Sequence, residues 1–241
     1  MNRVPTGING MDELIEGGFP DLTVNLITAP SGGGKTLFSL HYIYNGAKDY
    51  DEPGIFITLE ESRESIERVT KSFGMDIAKY ERDGKLFIID LGEIRKEIKK
   101  EEEISRGIIS FEALQEALES IIKFSKAKRF ALDSLTAVGL AYSASSELRQ
   151  DMFRFVRFLR DKAVTSLLIT ESVEGTPGLT RYGVEQYIAD SLIVVGLESI
   201  KGELRRTICV RKMRFTKHDT SIHPFLIMED GIEISPKEKV F

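Results

Sequence analysis

Three stretches of the sequence carry side chains whose types and spacing suit chemistry on a phosphate. The first is "APSGGGKT", residues 29–36, at the end of the apolar run "LIT". Against the phosphate-binding pattern G-x-x-x-x-G-K-[ST], Gly34, Lys35 and Thr36 fit, while Ala29 stands where the first glycine is expected. Gly32, Gly33 and Gly34 can take backbone angles closed to other residues and turn successive N–H groups into one anion-binding concavity. Lys35 then reaches the outer phosphates and Thr36 offers a hydroxyl to Mg²⁺, with Ser31 and Leu37 flanking them in the same binding segment. The helix that starts there adds the positive end of its dipole. The second stretch is the pair Glu60 and Glu61 after "GIFITL", of which at least one carboxylate should face the γ-phosphate and orient or deprotonate water. Its structural alternative is an acidic pair at a helix N-terminus. The third is Asp133, which ends "RFAL" and is suited to holding Mg²⁺ directly or through water; helix capping by Asp133 or Ser134 is the alternative.

These residues can meet only if the elements carrying them converge. Apolar runs closed by polar residues recur: "LTVNLIT" (22–28), "GIFITLEE" (54–61), "KLFIIDL" (85–91), "RFALDS" (129–134), "SLLITES" (166–172) and "SLIVVGL" (191–197). Between them, apolar residues fall at helical spacing, as in Phe111, Leu114, Leu118, Ile121 and Ile122, or Met152, Phe155, Val156 and Leu159. Strand and helix alternate, which predicts an α/β fold: a mainly parallel sheet flanked by helices, with ligands bound beyond the carboxyl ends of the strands. The late segments "ELRRTICVRKMRF" and "PFLIMEDGIEISP" lack intervening helices and predict antiparallel strands at the C-terminal edge. The charged segment 92–107 reads as a solvated helix or loop.

At 241 residues and 41% hydrophobic content the chain can bury one substantial core, so residues 1–241 are expected to form a single domain. A net charge of −5 provides no global field for nucleic acid, and DNA contacts have to be argued locally. Cys209 is the only cysteine, which excludes an internal disulfide and a cysteine zinc cluster and predicts a buried, reduced thiol. The N-terminus has no apolar leader and no stretch approaches a membrane span, so the expected location is cytoplasmic.

Taken in order, "PTGINGMDELIEGG", the phosphate loop, "LEES", "SFGMD", "LDS", "GVEQYIADSLIVV" and "KMRFTKH" resemble KaiC-type ATPases of the RecA superfamily from about residue 3 to residue 236. The resemblance implies a RecA-like fold, ATP or ADP with Mg²⁺, slow hydrolysis of the kind performed by the first domain of KaiC, and a homo-oligomer, hexameric ring or filament, with nucleotide at subunit interfaces. It further implies that Glu60 and Glu61 are the catalytic glutamates, that Lys35 and Thr36 contact phosphate and Mg²⁺, and that Ser72 touches the nucleotide. Lys212, Met213, Arg214, Thr216 and His218 are implied to serve the nucleotide of the neighbouring subunit. In an extended strand Lys212 and Arg214 share one face, so both cations can point at one phosphate. Phe215 departs from the family, which has glycine after the Lys-x-Arg element, and this leaves the local turn geometry open. An alternative function is a RecA-like recombination or repair accessory that binds DNA through Arg154, Arg157 and Arg160. A third is a module that uses bound ATP mainly to assemble.

Overall fold

The computed structural model describes residues 1–92, 109–172, 178–200 and 202–240. Strands β1 (Arg3–Val4) and β2 (Phe19–Pro20) pair antiparallel on either side of the short helix α1 (Met11–Leu14), an addition that the apolar periodicity does not announce. The main body then alternates: β3 (Val24–Ala29), α2 (Lys35–Asp49), β4 (Gly54–Thr58), α3 (Arg63–Ser72), α4 (Ile77–Arg82), β5 (Leu86–Asp90), α5 (Phe111–Ser125), β6 (Arg129–Asp133), α6 (Leu135–Gly139), α7 (Ser145–Asp161), β7 (Thr165–Glu171) and α8 (Glu185–Ile188). Four strands close the chain: β8 (Ser191–Ile200), β9 (Glu203–Met213), β10 (His223–Met228) and β11 (Gly231–Ile234).

The nine-stranded sheet has the order β11-β10-β9-β8-β3-β7-β6-β4-β5. From β8 to β5 all pairings are parallel, and β9, β10 and β11 extend the β8 side with antiparallel pairings. This is the architecture expected from the sequence. The charged segment 92–107 falls, apart from Gly92, outside the described residues.

Each central strand buries both faces because it feeds two cores. Along β3 and β4, Leu26, Ile55 and Ile57 face a cluster built on Phe111, Leu114, Leu118, Phe155 and Leu159 of α5 and α7. Ile27 and Phe56 face the opposite cluster, with Phe38, Tyr42 and Ile43 of α2. The two-residue period of a strand thus distributes alternate side chains between two helical layers. Helix α2 packs close to the sheet at Gly46, where an added Cβ would stand 2.4 Å from the Arg129 side chain. That buried arginine lies between the rings of Tyr42 and Tyr50 and pairs with Glu52 at 2.7 Å. Cys209 is half-buried rather than buried, because its side of β9 is covered only in part.

Register fixes which residues share an end of the sheet. Ala29 lies beside Glu171, and Thr58 lies beside Asp133 and Asp90, at the carboxyl ends. Since β9 runs against β8, Met213 pairs with Ser191 and returns to the amino end.

Candidate active site

The loop between β3 and α2 is shaped by its glycines. Gly32 and Gly34 occupy the left-handed region, at φ of 75° and 95°. A Cβ on Gly33 would stand 2.5 Å from the Cβ of Ala29. This explains how alanine replaces the first glycine of the pattern: Gly33 leaves the space that Ala29 fills. Lys35 donates to the carbonyls of Ala29 at 2.9 Å and Pro30 at 3.1 Å. Burial lowers its pKa, an effect opposed by the nearby charges of Glu171, Asp133 and Glu60.

Across the cleft, Asp133 ends β6 and is buried, with its Oδ2 accepting a hydrogen bond from the Thr36 hydroxyl at 2.6 Å. Burial pushes its pKa up to about 7; the Thr36 bond pulls the other way, while Glu60 and Glu61 add to the rise. The capping role belongs to Ser134, whose Oγ accepts from the Ala137 amide at 3.3 Å and also donates to the Glu60 carboxylate. Asp133 is therefore left to face the loop. Glu61 is held by its own corner: the Thr58 hydroxyl accepts from its amide at 3.0 Å and donates to its carbonyl at 2.9 Å, and its carboxylate takes the Ser65 hydroxyl at 2.7 Å. Glu60 and Glu61 thus precede α3 without capping it, and Ser62 caps that helix through the Ser65 amide.

The cleft has a volume of about 350 Å³ and is lined by Ser31 to Leu37 together with Glu60, Glu61, Val69, Asp133 and Glu171. Its donor set suits a hard cation: a threonine hydroxyl and a buried aspartate in contact, with further carboxylates beside them. Among the described residues no three His, Cys, Asp or Glu side chains form a complete metal cage. Mg²⁺ characteristically keeps one or two protein carboxylates and takes its remaining ligands from water and phosphate. Glu171 belongs to no motif of the sequence, although it occupies the same position as Asp133, the first acidic residue closing an apolar run.

Ser72 lies in the last turn of α3, exposed, with its hydroxyl on the Val69 carbonyl at 2.8 Å. Val69 lines the cleft; Ser72 does not.

The "KMRFTKH" segment sits at the other end of the sheet. Lys212 donates to the carbonyls of Ala189 at 2.6 Å and Gln186 at 3.1 Å, and burial followed by the charge of Arg214 lowers its pKa. Arg214 meets Asp190 at 3.2 Å, and Met213, between them in sequence, is buried. The Thr216 hydroxyl accepts from Arg3 at 2.6 Å, and His218 Nδ1 lies 3.3 Å from the Thr216 carbonyl. Phe215 adopts φ of 62°, a left-handed conformation that residues with a Cβ rarely take. For a side chain with Cβ this costs roughly 1–2 kcal/mol. Within one chain these residues are separated from the phosphate loop by the length of β3, six residues or roughly 20 Å.

The arginine stripe proposed for DNA is not a free row. Arg160 is engaged by Asp190 and Arg154 pairs with Asp151 at 2.8 Å, because each finds a carboxylate on or beside its own helix.

The sequence profile of the family described as "ATPase: KaiC" matches residues 4–239. The circadian clock oscillator protein KaiC of Synechococcus elongatus is 37% identical over 97% of this chain and 44% of its own length. KaiC 1 of Synechocystis is 38% identical over 98% of this chain and 44% of its own length. The chain thus spans less than half the length of these curated relatives. The crystal structure of a KaiC-like protein from the hyperthermophilic archaeon Pyrococcus horikoshii superposes with a TM-score of 0.84 at 36% identity, covering 98% of this chain and 99% of that one. The likeness runs through the β3–α2 loop, the parallel sheet and the antiparallel edge alike, and the chain belongs to the KaiC family of ATPases.

Proposed function

We propose that the chain, acting as one ATPase domain, binds ATP with Mg²⁺ in the cleft beside β3 and hydrolyses it slowly, with each nucleotide held between two subunits of a homo-oligomer. The observation that carries this reading is the distribution of charge. Lys35 lies among Glu60, Glu61, Asp133 and Glu171, whereas Lys212 and Arg214 stand at the opposite end of the same sheet, beyond reach of the cleft in their own chain. A head-to-tail contact brings the second set to the first, and contacts of this kind close into rings or continue as filaments.

Each residue takes a role suited to its position. Gly32 and Gly34 present backbone N–H groups to the phosphates, Gly33 and Lys35 exchange their bonds to the loop carbonyls of Pro30 and Ala29 for phosphate oxygens, and Ser31 and Leu37 complete the segment. Thr36 and Asp133 would hold Mg²⁺, which supplies charge neutralisation on the outer phosphates. Glu60, oriented by Ser134, and Glu61, oriented by Ser65, position the attacking water and accept its proton. From the neighbouring subunit Lys212 and Arg214 meet the charge developing on the transferred group, and Met213, Thr216 and His218 shape the approach. Ser72, outside the cleft at the end of α3, would meet the part of the nucleotide that extends beyond it.

Mixing two inactive variants tests the trans arrangement. Lys35→Ala lacks a working phosphate loop but keeps Arg214, and Arg214→Ala keeps the loop but lacks the finger. Each is expected to be nearly inactive alone, and a mixed assembly should recover part of the turnover. A mixture that stays inactive while native mass spectrometry shows mixed assemblies would refute the arrangement.

A further inference from the structure

Asp190 is buried immediately before β8 and gathers two arginines from different elements. Arg160, in the last turn of α7, places Nη2 3.0 Å from both carboxylate oxygens and Nε 3.3 Å from Oδ2. The same Nη2 donates to the Ile188 carbonyl at 3.3 Å. Arg214 meets this carboxylate through Nη1 on Oδ1 at 3.2 Å, and its side chain is 49% exposed. The backbone amide of Val24 donates to Oδ2 at 3.0 Å, which ties Asp190 to the start of β3. One carboxylate therefore has a firmly held arginine and a loosely held one.

The trans arrangement needs Arg214 to leave Asp190 and meet a phosphate on another subunit. A carboxylate at this depth is costly to strip of its cation. Were Arg214 its sole counter-charge, departure would leave an uncompensated buried charge behind. Resting on that arrangement, we infer that Arg160 is a positioning residue for the cationic finger: it keeps Asp190 neutralised, so that Arg214 is oriented by one contact and stays free to transfer to phosphate. Neither Arg160 nor Asp190 touches the nucleotide. Without Arg160, Asp190 draws Arg214 inward into a paired geometry, and the finger is withheld from the interface.

Arg160→Ala should then lower kcat about tenfold while the affinity of the phosphate loop for a fluorescent ATP analogue stays within about twofold. Arg160→Lys should restore much of the turnover, since a cation near Asp190 is what is needed. Mixing assigns the side of the interface. Arg160→Ala combined with Lys35→Ala should exceed the mean of the separate preparations several-fold, because the first supplies an intact loop and the second an intact Arg160, Asp190 and Arg214. Arg160→Ala combined with Arg214→Ala should show no such gain. Should Arg160→Ala fail to fold, Arg160→Gln, which keeps a donor for the Ile188 carbonyl without the charge, takes its place in every arm.

Wild-type turnover in the folded variant overturns the inference. So does a mixture with Lys35→Ala that shows no gain while the Arg214→Ala and Lys35→Ala mixture recovers; the trans arrangement then survives. If neither mixture recovers despite confirmed mixed assembly, the trans arrangement fails and takes the inference with it.

Discussion

At the carboxyl ends of β3, β4, β6 and β7 the described residues bring four carboxylates, Glu60, Glu61, Asp133 and Glu171, into one cleft with the ammonium of Lys35. At the amino end three cations, Arg160, Lys212 and Arg214, collect about the single carboxylate of Asp190 and the carbonyls beside it. Within these two groups the charges do not balance, and the imbalances are opposite in sign. An acidic excess at a cleft is poorly suited to a polyphosphate until Mg²⁺ and further cations join it, and a basic excess at the far end of the sheet is suited to one. Each end has the makings of half a site, and a nucleotide with its metal is the kind of group that joins the halves.

The strongest blow to this contrast is struck at the acidic end. Glu60→Gln with Glu61→Gln is expected to keep ATP binding and lower turnover by roughly 10²–10⁴-fold, since the amides retain shape without basicity. Unchanged single-turnover hydrolysis in the folded double variant would remove the catalytic reading of that end and leave its charge unexplained.

A region away from both ends supplies a control. His41, in the middle of α2, is held at a pKa of about 4 against an ordinary 6.5, mainly by burial, with Asp230 opposing and Lys48 assisting. Its folded pKa lies below its unfolded one, so between these values the unfolded chain binds the extra proton. Stability from this group is full above about pH 6.5 and is lost as pH falls toward 4. Urea midpoints measured across that window should fall less steeply in His41→Gln than in the parent. Parallel slopes would mean that acid sensitivity arises at one of the charged ends instead.

The smallest effect is expected at the amino end. Phe215→Gly relieves the left-handed strain of a side chain that is 65% exposed. Net stabilisation should be about 0.5–1 kcal/mol after the added chain entropy of glycine, a rise in Tm of roughly 2 °C. A loss of Tm would show that the phenyl ring, not the turn, is what matters there.

The parts of the molecule legible in its sequence are those in which one local pattern implies one local structure. Gly32 to Thr36 announce the loop, and the run "RFALD" announces both a buried strand and the acid at its end. Glu171 is equally legible by that rule, yet "SLLITES" matches no short motif that would draw attention to it. Arg160 escapes a reading by periodicity because helical spacing shows which residues share a face but not what the neighbouring element places against it. Its partner, Asp190, is 30 residues away and arrives through the crossover from β7 to β8. The position of Lys212 and Arg214 at the far end of the sheet depends on β9 running antiparallel, a property of pairing rather than of composition.

Strand β9 has a mechanical side. Near its start Arg206 donates to the Gly32 carbonyl of the phosphate loop at 3.0 Å, and six residues on, roughly 20 Å away, Lys212 stands beside Asp190 at the opposite end. Both contacts belong to one strand, whose pairing with β8 shifts register between Val210 and Lys212. In a head-to-tail assembly this strand would be the tie between the phosphate loop of its own subunit and the contact with the next.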